Sequence, residues 1–331
     1  MRRRRTVRCV SNLERDPQET VCGGRTAVAV EPVRELLPGR SVVLGPRGAT
    51  VTRMLPQRDR RMVGGWCFVD HFGPENVSAP PGMRVPPHPH TGLQTVSWLV
   101  AGEVLHRDSL GNRQLIRPGQ LNLMTSGRGI SHAEESPRDR SPVLHGVQLW
   151  VALPDRHRHV EPHFEHHPVL PVVTDAGVTV TVLLGELSGA TSPAQVYSPI
   201  VGAQATLGGG AETRLPLRPD FEYAALTLSG VVEVDGVPLA QGPLLYLGSG
   251  RSDLALRAGQ PGRLLLLGGE PFDERIVMWW NFVGRSHDEI SQSRDDWMTG
   301  SRFGTVHGYD GDPLPAAPMP STRLRPRGRH P

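Results

Sequence analysis

Short runs of apolar or alternating residues, each about as long as a β-strand, recur along the first half of the chain. Successive side chains of a strand point to opposite faces, so alternation predicts a strand with one buried face. Turn signals such as Gly102, Gly111 and Gly119 separate the runs at the close spacing of a β-barrel or sandwich. The predicted strands are 41–44, 49–55, 67–71, 95–100, 103–106, 114–116, 121–125 and 145–153.

A second series of strand-like runs repeats the pattern of the first. VSWLVAGEVLHRD and RPGQLNLMTSGRG in the first half correspond to AALTLSGVVEVDG and AQGPLLYLGSGRS in the second. Each half has a hydrophobic strand, a small residue with glycine, a second strand, a turn and a strand that ends in Ser-Gly-Arg. An internal duplication of one β-barrel explains this repeat. The predicted strands of the second half are 178–184, 224–228, 231–234, 244–247, 254–257 and 263–267.

We therefore predict an all-β protein with two barrels in tandem and a short C-terminal helix. The helix is indicated by SHDEISQSRDDW, in which Ser286 precedes Glu289 by three residues in a capping-box arrangement. The Pro-rich, basic sequence beyond Gly308 predicts disorder. The predicted division is a flexible leader 1–40, a first barrel 41–155, a polar His-rich linker 156–176, a second barrel 177–300 and a Pro/Arg-rich tail 301–331.

The positive charge of the chain is concentrated at its two ends. The formal net charge is +3, and the ends carry nine arginines, so subtracting those nine leaves −6 for the body. This distribution argues against a basic globular face and predicts no specific nucleic-acid partner. The absence of lysine excludes Schiff-base chemistry and a P-loop lysine. The nine residues are Arg2, Arg3, Arg4, Arg5, Arg8, Arg323, Arg325, Arg327 and Arg329.

Apolar stretches of the chain are all much shorter than the roughly 20 residues of a membrane span. The basic start, MRRRRTVR, precedes no signal-peptide core, which predicts a protein that is neither exported nor held in a membrane. Cys9, Cys22 and Cys67 lack CxxC or zinc-finger spacing, so we expect reduced thiols. These features predict a cytoplasmic protein, and we expect a monomer.

Two pairs of candidate metal ligands stand out in the first half. In PPHPHTG, His88 and His90 are two residues apart, so on a strand both rings point to one side. In SGRGISHAEE, 42 residues beyond His90, His132 and Glu134 repeat that spacing. Inward-facing pairs on neighbouring strands of a small barrel can converge on one point and supply three nitrogens and one carboxylate oxygen. An isolated HxH is weak evidence for a metal site, and the second pair strengthens that evidence.

Several longer motifs resemble the pirin family of the cupin superfamily. They are WCFVDHFGP, HPHTGLQTVSWLVAGEVLHRDSLGN, IRPGQLNLMTSGRGISHAEE and HGVQLWVALP in the first half, with LLLLGGEPFDERIVMWWNFVGRSHDEI downstream. The resemblance spans residues 41–300 and implies two cupin (jelly-roll) barrels. Carried over by position, the metal ligands of the family fall on His88, His90, His132 and Glu134.

One position departs from the general cupin motif. That motif has a glutamate four residues after its second histidine, where this chain has Gln94. A neutral amide removes one candidate base, which leaves Glu134 as the better one. In the second half, DFEYAAL offers Asp220 and Glu222 without a histidine, so we expect the second barrel to be metal-free and structural.

The ligand set and the resemblance together suggest an activity. Three imidazoles and one carboxylate leave two open positions on an octahedral divalent ion. Nitrogen and oxygen ligands suit iron, manganese, cobalt, nickel, copper or zinc, and the resemblance implies iron. It also implies a quercetin 2,3-dioxygenase-like enzyme that acts on a flavonol, or a similar phenolic or enolisable molecule, with O2 and loss of carbon monoxide. Glu134 is then both a ligand and the catalytic base.

Two other functions stay open. Other pirins are similar in fold yet act as cofactors of regulators, which would make this chain a non-catalytic, iron-binding, redox-responsive protein with a transcription regulator or metabolic enzyme as its partner. A metal-dependent isomerase or another cupin enzyme is the third reading, because the ligands alone do not choose among them.

Further histidines, one cysteine and two tryptophans are also candidates for a chemical role. A dense patch in the predicted linker is interpreted as solvated surface, and three histidines on predicted strands have either a role beside the ligands or an ordinary core role. Cys67, Trp279 and Trp280 are interpreted as packing residues. The patch comprises His157, His159, His163, His166 and His167, and the three strand residues are His71, His106 and His145.

Overall fold

Strands dominate the computed structural model, which describes residues 20–22, 32–44 and 49–326. The first barrel and the segment that precedes it contain β1 (Thr20–Cys22), β2 (Glu35–Leu37), β3 (Arg40–Leu44), β4 (Ala49–Leu55), β5 (Trp66–Asn76), β6 (Arg84–His90), β7 (Leu93–Ala101), β8 (Val104–Asp108), β9 (Arg113–Ile116), β10 (Leu121–Thr125), β11 (Ile130–Glu135) and β12 (Val143–Ala152).

The second half of the chain continues in the same manner after a short 3-10 helix, Asp155–His157. Its elements are β13 (His163–His167), β14 (Val172–Asp175), β15 (Val178–Leu184), β16 (Glu186–Leu187), β17 (Ala190–Thr191), β18 (Ile200–Leu207), β19 (Glu212–Pro216), β20 (Glu222–Ser229), β21 (Val232–Val234), β22 (Val237–Leu239), β23 (Leu244–Gly248), β24 (Asp253–Arg257), β25 (Gly262–Gly269), β26 (Ile276–Trp279), β27 (Phe282–Gly284) and α1 (His287–Thr299).

Each barrel consists of a seven-stranded and a four-stranded antiparallel sheet. In the first barrel the orders are β13-β10-β7-β12-β5-β4-β3 and β6-β11-β8-β9. In the second they are β14-β15-β18-β25-β20-β23-β2 and β19-β24-β21-β22. The second pair of sheets repeats the first strand for strand, as the predicted duplication requires, and the all-β prediction with one C-terminal helix is confirmed.

Two edge strands come from segments that the predicted division left outside the barrels. β2 precedes the first barrel in sequence but pairs with β23 of the second. β13 lies in the predicted linker 156–176 but pairs with β10 along its full length. The structure therefore corrects the prediction of a flexible leader for 35–37 and that of a linker for His163–His167, because both segments complete a sheet. Most of the leader, 1–19 and 23–31, lies outside the described residues.

A shared apolar core and buried hydrogen bonds join the two barrels. Trp66 of β5 donates its indole N–H to the carbonyls of Val201 and Gly268 in the second barrel, at 3.1 and 3.2 Å. The Glu222 carboxylate accepts from the backbone N–H of Gly64 at 2.7 Å and from the Tyr246 hydroxyl at 2.6 Å. Glu222, which the sequence offered as an acidic residue of the second barrel, thus links the domains.

The C-terminal helix begins and ends as its sequence predicts. The Ser286 hydroxyl accepts a hydrogen bond from the N–H of Glu289, and Gly300 ends the helix in the left-handed conformation at φ 74°. The helix has 13 residues and a polar composition, and no helix of the described chain is long and apolar enough to cross a bilayer.

The prediction of disorder beyond Gly308 is wrong for residues 309–326. The indole N–H of Trp297 donates to the Leu314 carbonyl at 2.8 Å, and the Arg294 guanidinium donates to the Ala317 carbonyl at 2.8 Å. Leu324 is buried against the core around α1. Prolines lower the conformational entropy of the unfolded segment, so few contacts suffice to order it.

Candidate metal centre

The three candidate histidines lie on two neighbouring strands of the first barrel's small sheet. β6 carries His88 and His90, and β11 carries His132 directly opposite His88 in the antiparallel register. Alternation along both strands turns all three rings to the interior, where they are at most 1% exposed. The predicted convergence of His88, His90 and His132 is therefore found in the structure.

The candidate ligand atoms of these imidazoles lie within 4.8 Å of one another. Nε2 of His90 is 3.1 Å from Nε2 of His132. Two nitrogens bound at right angles to one ion, each at about 2.2 Å, would lie about 3.1 Å apart, so the geometry fits a transition metal.

Hydrogen bonds at the far side of the rings favour metal binding. Nδ1 of His88 donates to the Pro86 carbonyl at 2.8 Å, and Nδ1 of His90 donates to the Asn281 carbonyl at 3.1 Å. A proton on Nδ1 leaves the Nε2 lone pair directed at the common point. Burial lowers the pKa of His88 to about 4 and those of His90 and His132 well below their usual range, so the rings are neutral ligands at pH 7.

Glu134 faces the same interior but is not part of the group of three. A register shift separates His132 from Glu134 in the pairing with β6, and such a bulge re-aims the side chain. Oε1 of Glu134 lies 3.4 Å from the Ser97 hydroxyl, and Oε2 has no hydrogen-bond partner among the residues that the structure describes. Burial raises the pKa of Glu134 to about 8. Ligation by Glu134 stays a prediction.

Two family models match the two halves of the chain. The family model named Pirin matches residues 48–151, and the model named Pirin C-terminal cupin domain matches residues 202–304. The chain belongs to the pirin family. The two barrels are its two cupin domains in tandem.

Relatives of this pirin cover most of its length. A Pseudomonas aeruginosa protein with the provisional name quercetin 2,3-dioxygenase is 49% identical over 274 residues, which are 82% of this chain and 87% of the relative. The crystal structure of quercetin 2,3-dioxygenase from Acinetobacter baumannii is similar with a TM-score of 0.84 at 44% identity, over 87% of this chain and 96% of that one. The human protein Pirin is 33% identical over 256 residues, 74% of this chain and 85% of its own.

Gln94 lies on the opposite face of its strand from the metal centre. Its amide donates to the Thr125 hydroxyl at 2.9 Å and to the Gln195 carbonyl at 3.0 Å, toward the second barrel. Ser97, three residues on, points to the interior and approaches Glu134. The sequence reasoning treated Gln94 as a lost base at the centre, and the structure corrects this because the strand turns that side chain away.

The corresponding positions of the second barrel carry leucines. β19 and β24 pair as β6 and β11 do, and Leu215 lies opposite Leu254 where the first barrel has His88 opposite His132. The relevant strand is therefore β19, and the DFEYAAL segment that the sequence reasoning compared belongs to a different sheet.

Residues of the predicted linker complete the surroundings of the metal centre. Phe164 of β13 stacks on the His106 ring at 4.4 Å between ring centres. Nδ1 of His106 lies 3.4 Å from Nδ1 of His132, and Nε2 of His106 lies 3.1 Å from the Asp108 carboxylate. The prediction left His106 with either a role beside the ligands or an ordinary core role. Phe164 was not predicted, although HFEHH has the two-residue period of a strand.

Other members of the predicted surface patch also have partners. Nδ1 of His166 lies 2.7 Å from the Asn122 side-chain oxygen, and His167 lies 3.0 Å from the Glu165 carboxylate. Both histidines are only partly exposed. These two residues are therefore part of a paired strand, with side chains that are bonded to neighbours and only partly solvated.

His71 and His145 pair with each other rather than with the metal ligands, their Nε2 atoms 2.8 Å apart. Burial, with a smaller contribution from His145, lowers the pKa of His71 to about 4, whereas an unfolded histidine titrates near 6.5. The stability that the neutral ring contributes is complete above pH 6.5 and is lost as the pH falls toward 4.

Replacing His71 should therefore make the free energy of unfolding depend less on pH between pH 7 and pH 5. Between pH 7 and pH 5, the metal-free His71→Gln variant should lose roughly 2 kcal/mol less free energy of unfolding than the wild type. Urea unfolding at the two pH values measures this difference, with the exposed His307→Gln variant as the control. Equal losses in all three proteins would refute the assignment.

Proposed function

We propose that this pirin is an iron-dependent dioxygenase that opens the heterocycle of a flavonol or of a similar phenolic or enolisable molecule. The buried triad of His88, His90 and His132, whose candidate ligand atoms lie within 4.8 Å of one another, carries the proposal. The similarity to the quercetin 2,3-dioxygenase from Acinetobacter baumannii supports the choice of substrate class.

The triad would hold one divalent ion, with the Glu134 carboxylate as a fourth ligand. When bound, iron supplies open coordination positions and one-electron chemistry with O2. The chain contributes a dry interior, because all four candidate ligands are at most 1% exposed. A dry site strengthens the interaction between a substrate anion and a cation.

Glu134 is the proposed general base. Its Oε2 faces no partner among the described side chains, so it can take the proton of a phenolic or enolic hydroxyl. Burial raises the pKa of this carboxyl to about 8 in the metal-free protein, and a bound cation would lower that pKa again and favour the carboxylate form that can accept a proton. The Ser97 hydroxyl lies 3.4 Å from Oε1 and 2.9 Å from the Gln148 side-chain oxygen, so these two acceptors share its one proton.

Oxygen uptake tests the proposal. Protein purified without a histidine tag is reconstituted anaerobically with iron, manganese, cobalt, nickel, copper or zinc in separate samples and mixed with quercetin in aerated buffer. We expect the iron-loaded protein to consume O2 and release carbon monoxide in equal amounts. An iron-loaded protein that leaves quercetin and related phenols unchanged would refute the dioxygenase proposal.

The burial of the triad also favours a second candidate, an iron-binding protein that changes a partner-binding surface with its redox state. All three rings are shielded from solvent, which suits an ion that acts through the surrounding strands. Hydrogen exchange of the ferrous and ferric forms tests this function. A protection change at the surface, together with catalytic inactivity, would favour it over the enzyme.

A further inference from the structure

β6, which carries two of the candidate ligands, is an edge strand rich in proline. It stands at one edge of the four-stranded order in the described part of the chain, where β11 is its neighbour. Pro86, Pro87 and Pro89 lack the N–H group, so three of its seven residues cannot donate to a neighbouring strand. Contacts from outside the sheet therefore add to the single pairing with β11 in fixing His88 and His90.

Residues 303–314, which we name the C-terminal strap, provide such contacts on the outer side of the small sheet. The Leu314 N–H donates to the Pro87 carbonyl, next to His88, at 2.8 Å. The Leu314 carbonyl in turn accepts from the Trp297 indole of α1 at 2.8 Å. The backbone of one strap residue thus connects the helix to the ligand strand.

The other end of the strap holds β11. The N–H and the hydroxyl of Ser131, next to His132, both donate to the Phe303 carbonyl, at 3.1 and 3.0 Å. Between the two ends, the Arg107 side chain of β8 donates to the Gly308 carbonyl at 2.8 Å. The strap therefore bonds to residues adjacent to ligands on both strands.

Most of the strap lies beyond the part of the chain that the family models describe, because the second model ends at residue 304. We infer that the C-terminal strap is a positioning element of the metal centre, in which Leu314 and Trp297 hold β6 so that its histidines are preorganised for the ion. This inference rests on the proposed metal site. Failure of this inference can be told apart from failure of the proposed function, because changes in the strap should alter the metal affinity and the ligand geometry without removing the site.

A pair of variants at Leu314 isolates the hydrogen bond to Pro87. Leu314 lies between Pro313 and Pro315, so a proline suits the extended backbone there but removes the N–H. Leu314→Ala loses most of the same side chain and keeps the N–H. We expect Leu314→Pro to bind cobalt(II) about five- to tenfold more weakly than Leu314→Ala, the effect of one hydrogen bond.

Chelator competition measures the affinity, and the visible absorption spectrum of cobalt(II) reports the ligand geometry. Trp297→Phe, which keeps an aromatic ring but lacks the indole N–H, should weaken binding in the same direction. The cobalt(II) spectra of Leu314→Pro and Trp297→Phe should both shift from that of the wild-type protein. A purely structural role would lower the urea midpoint of the apoprotein and leave the cobalt affinity and spectrum unchanged.

Truncation provides the larger perturbation and its matched control. A chain that ends at Gly304 lacks most of the strap and should release cobalt(II) at least about tenfold faster than the wild type. A chain that ends at Pro326 keeps the strap and the buried Leu324, and it should retain the wild-type release rate. Equal release rates and equal affinities in every variant would overturn the inference, as would a wild-type protein that binds no metal.

Discussion

Replacing His132 with alanine is expected to abolish metal binding and, with it, oxygen consumption. His132 supplies one of three nitrogens and lies 3.1 Å from Nε2 of His90. The remaining candidate ligands are His88 and His90 on β6 and Glu134 on β11. With one of three imidazoles removed, we expect the metal affinity to fall more than about 100-fold, beyond the loss typical of an outer hydrogen-bond partner. Metal analysis after dialysis against a weak chelator measures the loss directly.

The matched control is His167→Ala, a histidine of the same barrel that lies on β13 beside Glu165. This variant should keep its metal content and its activity with quercetin. An equal loss in both variants would indicate general unfolding, which circular dichroism detects. Retention of metal by a folded His132→Ala protein would contradict the ligand assignment.

Replacing Asp70 with alanine is expected to cost about 3–5 kcal/mol of the free energy of unfolding. The Asp70 carboxylate accepts two hydrogen bonds from the Arg53 guanidinium, at 2.8 and 2.9 Å, and both residues are 2% exposed. Without the carboxylate, the guanidinium stays inside the barrel with its charge poorly neutralised. Urea unfolding of the metal-free protein at pH 7 measures the change.

An exposed ion pair of the same type serves as the control for this stability test. Arg128 and Glu161 form a bidentate pair at the surface, with contacts of 2.7 to 3.0 Å. Glu161→Ala should change the free energy of unfolding far less than Asp70→Ala does, because solvent screens exposed charges. A loss at Asp70 no larger than that at Glu161 would show that the buried pair contributes little.

The candidate ligands could be predicted because their signals are local and physically simple. His88 and His90 are two residues apart on a strand, as are His132 and Glu134, so each pair shares a face. The duplicated pattern of apolar runs indicated two barrels, and the equal strand orders confirm it. Period and spacing were sufficient for these features.

Partners that are distant in sequence could not be predicted from the same signals. β2 is a strand of three residues amid polar sequence, and its pairing with the second barrel is what reveals it. β13 has the two-residue period of a strand, but its sequence does not show that it pairs with β10. The Asn281 carbonyl bonds to Nδ1 of His90 from 191 residues away, through a backbone atom that carries no side-chain signature. The tail orders because Trp297 and Arg294 hold its carbonyls, and these contacts also have no local pattern.

Anomalous diffraction from crystals of the iron-loaded protein tests the central claim most directly. We expect one anomalous peak inside the first barrel, about 2.2 Å from Nε2 of His88, His90 and His132, with a Glu134 oxygen at a similar distance. A crystal with full iron content whose peak lies elsewhere, with the three rings turned away from it, would contradict the account.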